Sequence, residues 1–401
     1  MRSVLLSKSV SANLPKIYVL LSLRWMMFII PILVIFFYDN GLDQTQVMIL
    51  QSLFSIAIVL FEIPSGYFSD VMGRKLTVVL GCILGSCGFL IYSFSFGFWG
   101  FLAAELVLGL GASFISGTDS ALVYDTLAQL GREAEYPKIE GRCSSICNFS
   151  ETAASIIGGM LAAVSLRTPF YLETAFMLMT IPLALTLVEP ERHRWDASQG
   201  NWNSILQIVR FSLHENKVLK WLIFYASVTG ASTLTMVWFI QPYLKESGLP
   251  LSLFGVVWAA LNFSVGIFSM YAYRIERKLG RRRILLLQIP LMTIGFILAG
   301  LFQTLWAIPV LFIFYFVRGI NRPVMKSYIN QMVSSDKRAT VISVSNMTGR
   351  MIFALAGPVI GLIKDRFSLS YALFTAALII LTSGSIVLVF LNKHRVLTNS
   401  S

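Results

Sequence analysis

Charged side chains are scarce in this 401-residue sequence, and their scarcity limits the class of protein. Asp, Glu, Lys and Arg together make up 13% of the residues, whereas hydrophobic residues make up 56%. A soluble globular domain carries about 25% charged residues. The composition therefore excludes an ordinary soluble domain and indicates an integral membrane protein.

Residues that bind metals or form disulfides are also few. The chain has four Cys and three His, and the histidines at 193, 214 and 394 are too scattered for a metal cluster. The cysteines fall in or beside apolar runs, where disulfides are not expected. The sequence also lacks the Gly-x-x-x-x-Gly-Lys-Ser/Thr loop that cradles nucleotide phosphates. We therefore expect no metal, no cofactor and no enzyme activity.

The net charge of +12 does not indicate nucleic-acid binding, because the basic residues form short clusters between apolar runs. When successive runs are placed on alternating sides of a membrane, most of the 32 Lys and Arg residues fall on one side. By the positive-inside rule this side is the cytoplasm, and both termini lie there. The sequence predicts a multi-pass protein of the plasma membrane, which is the inner membrane in a bacterium.

Twelve apolar runs are long enough to cross a bilayer as helices, which takes about 20 residues each. They lie near residues 17–38, 46–66, 76–96, 98–120, 143–164, 168–188, 219–241, 252–272, 283–302, 304–325, 340–362 and 369–391. The predicted fold class is all-α integral membrane, with a six-helix half at 1–190, a polar cytoplasmic linker at 191–218 and a second six-helix half at 219–401. Within the linker, Ile205 and Ile208 lie at helical spacing and predict a helix along the membrane surface.

The two halves also show signs of a duplication. Gly280 follows Gly73 in a similar charged loop, and Tyr328 follows Tyr124, each after roughly 205 positions. Repeats at a nearly constant offset indicate that one six-helix unit occurs twice.

The loop between the second and third spans carries the most specific motif. Its residues are Gly66, Asp70, Gly73, Arg74 and Lys75. Together with the twelve predicted spans, this loop resembles the signature of the major facilitator superfamily, although Val71 stands where that family usually has a base. The resemblance covers nearly the whole chain. It implies a secondary transporter whose two halves alternate access to a central site.

The resemblance also implies a gating role for this loop on the cytoplasmic side. Asp70 is expected near the start of the eleventh span, and Arg74 near an acid at the inner end of the fourth span, either Asp119 or Asp125. The second loop has Arg277 where the first has its Asp. We therefore expect the two loops to be held differently.

Charged residues inside the spans are the candidates for ion coupling, because each costs a few kcal/mol unless it faces a cavity or a partner. Glu105 in the fourth span and Glu151 in the fifth are candidate proton carriers. Arg24 lies at a similar depth in the first span. We expect Arg24 and Glu151 to form a structural ion pair, which leaves Glu105 as the better proton carrier. Glu173 lies nearer a span end and is not among these candidates.

The second half has two arginines inside its spans and no acid there. Arg318 and Arg350 are candidates to hold an anionic group, since guanidinium groups bind carboxylate or phosphate at two points. Polar residues on inward-facing stripes extend the candidate substrate site to Asn346, Tyr225, Thr229 and Asn148. The predicted substrate is a small amphipathic organic anion or zwitterion.

The resemblance favours efflux by proton antiport, but two exporter signatures are incomplete. Glu105 stands four residues before Gly109, where many exporters have Arg, and Ala154 and Ser155 replace a Gly-Pro pair before Gly158. Proton-coupled import of an organic anion therefore stays open, as does a transport-inactive membrane sensor. The expected partners are the small-molecule substrate, protons and the lipid bilayer, with no nucleic acid, and the chain is expected to be a monomer.

Overall fold

The computed structural model describes residues 10–191, 209–334 and 337–394. All regular elements in these ranges are helical, and none is a strand. The all-α fold class predicted from the sequence is therefore confirmed.

Eight α-helices precede the linker. They are α1 (Asn13–Arg24), α2 (Leu33–Asp39), α3 (Gln44–Met72), α4 (Arg74–Phe94), α5 (Gly97–Ile115), α6 (Thr118–Gln129), α7 (Tyr136–Ala162) and α8 (Thr168–Leu185). Five more follow the linker and a π-helical turn. They are α9 (Lys217–Glu246), α10 (Phe254–Leu301), α11 (Leu311–Met332), α12 (Arg338–Arg366) and α13 (Leu369–Lys393). The predicted linker helix at Ile205 and Ile208 lies outside the described residues.

Nine helical segments within the described ranges are long and apolar enough to cross a membrane, so the predicted count of twelve is not confirmed. Three features account for the difference. Helix α10 covers two predicted spans and is interrupted only at Gly280, whose φ is 77°. The run near 17–38 is divided between α1 and α2, and α7 carries polar residues along its length.

The first predicted span is not a single helix. Helix α1 ends at Arg24 and α2 begins at Leu33, so the segment Trp25–Ile32, called here the helix-one break, has no continuous helical ladder. Pro31 lies in this segment and has no N–H to donate, and its ring disfavours helical backbone in the preceding residue. The expectation of one helix across residues 17–38 was therefore wrong.

The described chain separates into two compact units. Unit 1 comprises residues 1–41, 53–200 and 251–259, and unit 2 comprises 42–52, 201–250 and 260–401. Unit 2 thus includes the first turns of α3, and unit 1 includes the first turns of α10. The boundaries predicted for the two six-helix halves stay a prediction.

An aromatic cluster lies in the core of unit 1. Phe36 of α2 packs against Phe170 of α8 with ring centroids 4.0 Å apart, and against Phe101 of α5 at 5.4 Å. Tyr92 of α4 stacks on Phe101 at 5.6 Å. All four rings are buried, so they fix the positions of α2, α4, α5 and α8 relative to one another within this unit.

Two contacts in unit 1 bring backbones together without side chains between them. A Cβ at Gly158 of α7 would collide with the carbonyl oxygen of Phe28 in the helix-one break. A Cβ at Gly255 of α10 would collide with the carbonyl oxygen of Ser155. Small residues allow helices in membranes to approach this closely.

Candidate functional site

The predicted gating loop forms an ion-pair cluster in unit 1. Arg74 Nη1 lies 2.6 Å from Asp70 Oδ1, and Arg74 Nε lies 3.2 Å from Asp125 Oδ2. Arg74 Nη1 also donates to Ser69 Oγ at 2.9 Å. Of the two acids considered for Arg74, the structure therefore places Asp125 in contact with it. Asp119 accepts a hydrogen bond from the backbone of Ser120.

The same loop has a partner that the sequence analysis missed. Glu189, which follows α8, accepts hydrogen bonds from the backbone N–H groups of Arg74 at 2.9 Å and Lys75 at 2.7 Å. These residues begin α4, and a carboxylate is stabilised by the positive end of a helix dipole. Gly73 has a φ of 119°, and its missing Cβ would lie 3.0 Å from the Glu189 carboxylate. Glu189 thus binds the backbone at the start of α4, whereas the Arg74 side chain binds Asp70 and Asp125.

The second loop, in unit 2, holds its arginine in another way. Gly280 has a positive φ like Gly73, and the guanidinium of Arg281 lies 4.2 Å from the centroid of the Tyr328 ring. The Tyr328 hydroxyl donates to Glu276 Oε1 at 2.8 Å. Arg281 thus faces the ring of Tyr328, which is bonded to Glu276, whereas Arg74 binds two acids directly, so the duplicated loops have different electrostatics.

Glu105 is buried among aromatic residues. Its side chain on α5 accepts a hydrogen bond from the Tyr92 hydroxyl at 2.5 Å, and the residue is 4% exposed. Tyr92 belongs to the aromatic cluster and stacks on Phe101. In a low-dielectric core such a hydrogen bond is stronger than in water.

Glu151 and Arg24 are not paired as expected. The indole Nε1 of Trp258 donates to Glu151 Oε1 at 3.2 Å. Arg24 is the last residue of α1. Among the ion pairs within the described ranges, none joins Arg24 to Glu151. The expectation rested on equal depth in the membrane, which does not determine the direction of a side chain around its helix.

The candidate substrate residues lie in varied surroundings. Tyr225 and Thr229 are fully buried in unit 2; the Tyr225 hydroxyl donates to the Leu285 carbonyl at 2.8 Å and Thr229 Oγ1 to the Tyr225 carbonyl at 2.8 Å. Their polar groups therefore serve the packing of unit 2, and the expectation that they face substrate receives no support. A polar stripe on a helix does not reveal whether it faces a cavity or a neighbouring helix.

The remaining candidates are more accessible. Arg318 is exposed, with its guanidinium 5.9 Å from the centroid of the Tyr315 ring, and Asn346 is exposed one turn before the half-buried Arg350 on α12. Asn148 in unit 1 is also exposed and donates to the Ser144 carbonyl at 3.0 Å. Because these side chains are accessible, they can contact a ligand without a rearrangement of the protein core.

A second buried acid was not among the sequence candidates. Glu173 on α8 is 2% exposed, and its Oε2 accepts a hydrogen bond from the backbone N–H of Ile29 at 3.0 Å. No sequence signal links these residues, because the donor is a backbone group in a segment expected to be helical.

Long apolar helices, a charged loop motif at their ends and buried carboxylates between them define the chain as a multi-pass α-helical membrane transporter. The family model described as Major Facilitator Superfamily matches residues 17–358 and, in a further match, residues 234–400. The chain belongs to the Major Facilitator Superfamily, and it is a transporter and not an enzyme.

Curated relatives are bacterial proteins of the same family. The chain is 22% identical to the uncharacterized MFS-type transporter YxaM of Bacillus subtilis over 88% of both chains. It is 21% identical to multidrug resistance protein 2 of Bacillus subtilis over 91% of both. It is 22% identical to the quinolone resistance protein NorA of Staphylococcus aureus over 51% of this chain and 52% of NorA. The chain is thus homologous to drug efflux proteins.

Solved structures share the fold at low sequence identity. A mutant of the nucleoside transporter NupG matches with a TM-score of 0.80 and 15% identity, covering 96% of this chain and 99% of NupG. A POT family transporter in complex with 5-aminolevulinic acid matches with a TM-score of 0.73 and 14% identity, covering 95% of this chain and 96% of that protein. At these identities the comparison bears on the fold alone.

Proposed function

We propose that the protein exports small amphipathic organic compounds by proton antiport, with the halves 1–190 and 219–401 alternating access to a central site. The homology to proteins named for quinolone and multidrug resistance supports the direction and the substrate class. Quinolones carry a carboxylate and usually an amine, so they fit the anion or zwitterion expected from Arg318 and Arg350. The observation that carries the proposal is the buried Glu105 carboxylate bound to Tyr92.

In this proposal Glu105 carries the proton. In its ionised form the carboxylate accepts the Tyr92 hydrogen bond, and on protonation it becomes a neutral acid that can donate as well as accept. The exchange changes the contact between α4 and α5 at the aromatic cluster. Glu151, which accepts from Trp258, is the other proton-carrier candidate from the sequence and provides a comparison for Glu105.

The gating loop is the second part of the proposal. We assign Asp70, Gly73, Arg74 and Asp125 to the cytoplasmic side, where the loop holds the closed form. The basic clusters, from which we expect both termini in the cytoplasm, support this orientation. Reporter fusions at the two ends would test it, since an external location of either terminus would reverse the assignment.

The experiment that tests the proposal is transport in liposomes and everted vesicles. We expect wild-type protein in everted vesicles acidified inside to accumulate a fluorescent quinolone, and Glu105→Gln to abolish this accumulation. Glu135→Gln is the matched control, because Glu135 lies outside the spans in a surface ion pair with Arg132 that lowers its pKa. Full gradient-driven transport by Glu105→Gln would overturn the role of Glu105.

The same measurements distinguish the alternatives. If the quinolone or an organic anion crosses the membrane in the same direction as the protons that move down their gradient, the protein is a proton-coupled importer. A gain in thermal stability with the compound and no flux across the liposome would indicate a transport-inactive sensor. Either result would replace antiport as the function.

A further inference from the structure

The helix-one break leaves backbone groups without helical partners inside a predicted span. In a continuous helix the N–H of Ile29 would donate to the carbonyl of Trp25. In the structure it donates to the side chain of Glu173, which lies 144 positions further along the chain. Backbone polar groups at membrane depth must be satisfied by protein groups, because lipid supplies none. Glu173 therefore supplies the acceptor that the interrupted helix has lost.

The break is closely packed by its neighbours. The ring of Phe28 lies 5.3 Å from that of Phe176 on α8, and the Phe28 carbonyl touches the backbone at Gly158 of α7. Phe28, Ile29 and Ile32 are buried. The Glu173 side chain is thus enclosed between α8 and the break, and the residue is buried.

Other titratable groups on the helices that pack against α8 are engaged elsewhere. Tyr92 of α4 donates to Glu105 of α5, and Glu151 of α7 accepts from Trp258. Among the described residues, no ion pair involves Glu173. Cys87, in the same half of α4 as Ser93, is exposed, and the Arg167 guanidinium at that end donates to the carbonyls of Ser93 and Ser95 and to Asn40 Oδ1. The other titratable groups on α1, α4 and α7 lie toward the opposite ends of their helices: Lys16, Tyr18, Arg74, Lys75, Cys82, Tyr136, Lys138, Glu140, Arg142, Cys143 and Cys147.

Arg24 is too far along the membrane normal to neutralise Glu173. Glu173 lies level with the end of α4, because the adjacent Thr174 bonds Ser93 at 2.9 Å. Ser22, two residues before Arg24, bonds Ser150 of α7 at 2.8 Å, whereas the break meets α7 at Gly158. At about 1.5 Å per residue, roughly 12 Å of helix axis separates Ser150 from Gly158. Within the described ranges, Glu173 is therefore held by the backbone of the break and not by an ion pair with a basic side chain.

We propose that Glu173 and the helix-one break form a proton-binding site, in which protonation of Glu173 releases the Ile29 amide. The carboxylate takes one proton from water and becomes a neutral acid, which accepts more weakly than a charged carboxylate. The freed N–H then pairs with the Trp25 carbonyl, and the first turn of the break becomes helical. Pro31 has no N–H, so the rest of the segment stays irregular.

The contacts of the carboxylate favour a proton over a metal cation as the ligand. Unwound helices that bind Na⁺ direct carbonyl oxygens at the ion. Here the break directs an amide N–H, the positive end of a peptide dipole, at Glu173. A metal ion beside that group would be repelled, whereas a proton on the carboxylate needs no further oxygen ligands.

This inference adds a site to the proposed antiport and rests on it only for its link to transport. Glu105 bonds a tyrosine side chain, and its protonation leaves the backbone unchanged. Glu173 bonds the backbone of an interrupted span, so its protonation alters helix structure. The two sites therefore predict different signals.

Hydrogen–deuterium exchange on the full-length protein in lipid nanodiscs tests the structural step. The protection factor of the Ile29 amide, corrected for the intrinsic effect of pH on exchange, should be about tenfold lower at pH 5.5 than at pH 8.5, because the charged carboxylate is the stronger acceptor. Glu173→Gln should remove this pH dependence, while Glu105→Gln and Glu135→Gln should keep it. An unchanged dependence in Glu173→Gln, or none in the wild type, would overturn the proposal.

A second measurement needs no variant and covers the case in which Glu173→Gln fails to fold. A hydrophobic carbodiimide adds to protonated carboxyl groups and forms an N-acylurea, which mass spectrometry locates on the peptide with Glu173. Labelling should fall severalfold as the pH rises and be insensitive to Na⁺. Protection by Na⁺ at fixed pH, or labelling independent of pH, would overturn the assignment to a proton. Both measurements stand even if Glu105→Gln transports normally, so failure of the antiport proposal is seen separately.

Discussion

The carboxylate of Glu189 occupies the space beside Gly73, so that a Cβ at Gly73 would lie 3.0 Å from it. The glycine of the loop motif is thus required for two reasons, its positive φ and the room that Glu189 needs to bind the start of α4. The motif is completed by a residue from the end of the sixth predicted span, outside the motif itself.

We predict that Gly73→Ala destabilises the protein by about 1–3 kcal/mol, because it strains the backbone and displaces Glu189. Gly66→Ala is the matched control, since it lies in the same motif with nothing within 4 Å of its Cβ. Thermal unfolding in detergent measures the difference. The loss of stability in the double variant Gly73→Ala with Glu189→Ala should not exceed the sum of the losses in the two single variants. Equal melting temperatures for Gly66→Ala and Gly73→Ala would contradict the role given to Gly73.

The two acids that bind Arg74 should differ in importance. The Asp70 side chain is 46% exposed and that of Asp125 is 22% exposed, so water screens the Asp70 pair more strongly. We expect Asp125→Asn to lower thermal stability more than Asp70→Asn does. A double-mutant cycle with Arg74→Gln gives the coupling of each pair. A larger coupling for Asp70 than for Asp125 would show that the more exposed pair is the stronger one and would contradict the prediction.

Gly158 should tolerate no side chain, because its Cβ would collide with the Phe28 carbonyl. We expect Gly158→Ala to shift the helix-one break and to reduce the protection of the Ile29 amide from exchange. Gly141→Ala on the same helix is the control, since its Cβ meets nothing within 4 Å and alanine favours helix. Similar exchange in the two variants would argue against close packing at Phe28.

Arg167 is expected to stabilise unit 1 through its shape as well as its charge. Its guanidinium donates to the carbonyls of Ser93 and Ser95 at 3.0 Å each and to Asn40 Oδ1 at 2.8 Å, and it lies 3.8 Å from the Phe96 ring centroid. An ammonium group cannot reach all of these groups at once. Arg167→Lys should therefore lose about 1–3 kcal/mol of stability, close to the loss in Arg167→Gln. Full stability of Arg167→Lys in thermal unfolding would show that charge alone suffices.

The sequence predicted those features that depend on composition and local spacing. Apolar runs and the loop from Gly66 to Lys75 identified the fold and the family, and the contact of Arg74 with Asp125 was one of two alternatives. The helix-one break was missed because an apolar run predicts a helix whether or not its backbone is continuous. Glu173 was passed over since its donor is a backbone group far away in sequence. Tyr225 was assigned to substrate because the direction of a polar stripe depends on neighbours that the sequence does not place.

The helix-one break also bears on how the protein is made. Helices α1 and α2 have 12 and 7 residues, so neither crosses a bilayer alone, at about 20 residues per crossing. The acceptor for the Ile29 amide is synthesised 144 residues later, which takes roughly 7 to 30 s at typical rates of translation. During that interval the Ile29 amide can pair only with the Trp25 carbonyl, as in the protonated form proposed above. The first predicted span therefore reaches its native form in the membrane only after the sixth predicted span has been inserted, so these helices complete their folding as a group and not one span at a time.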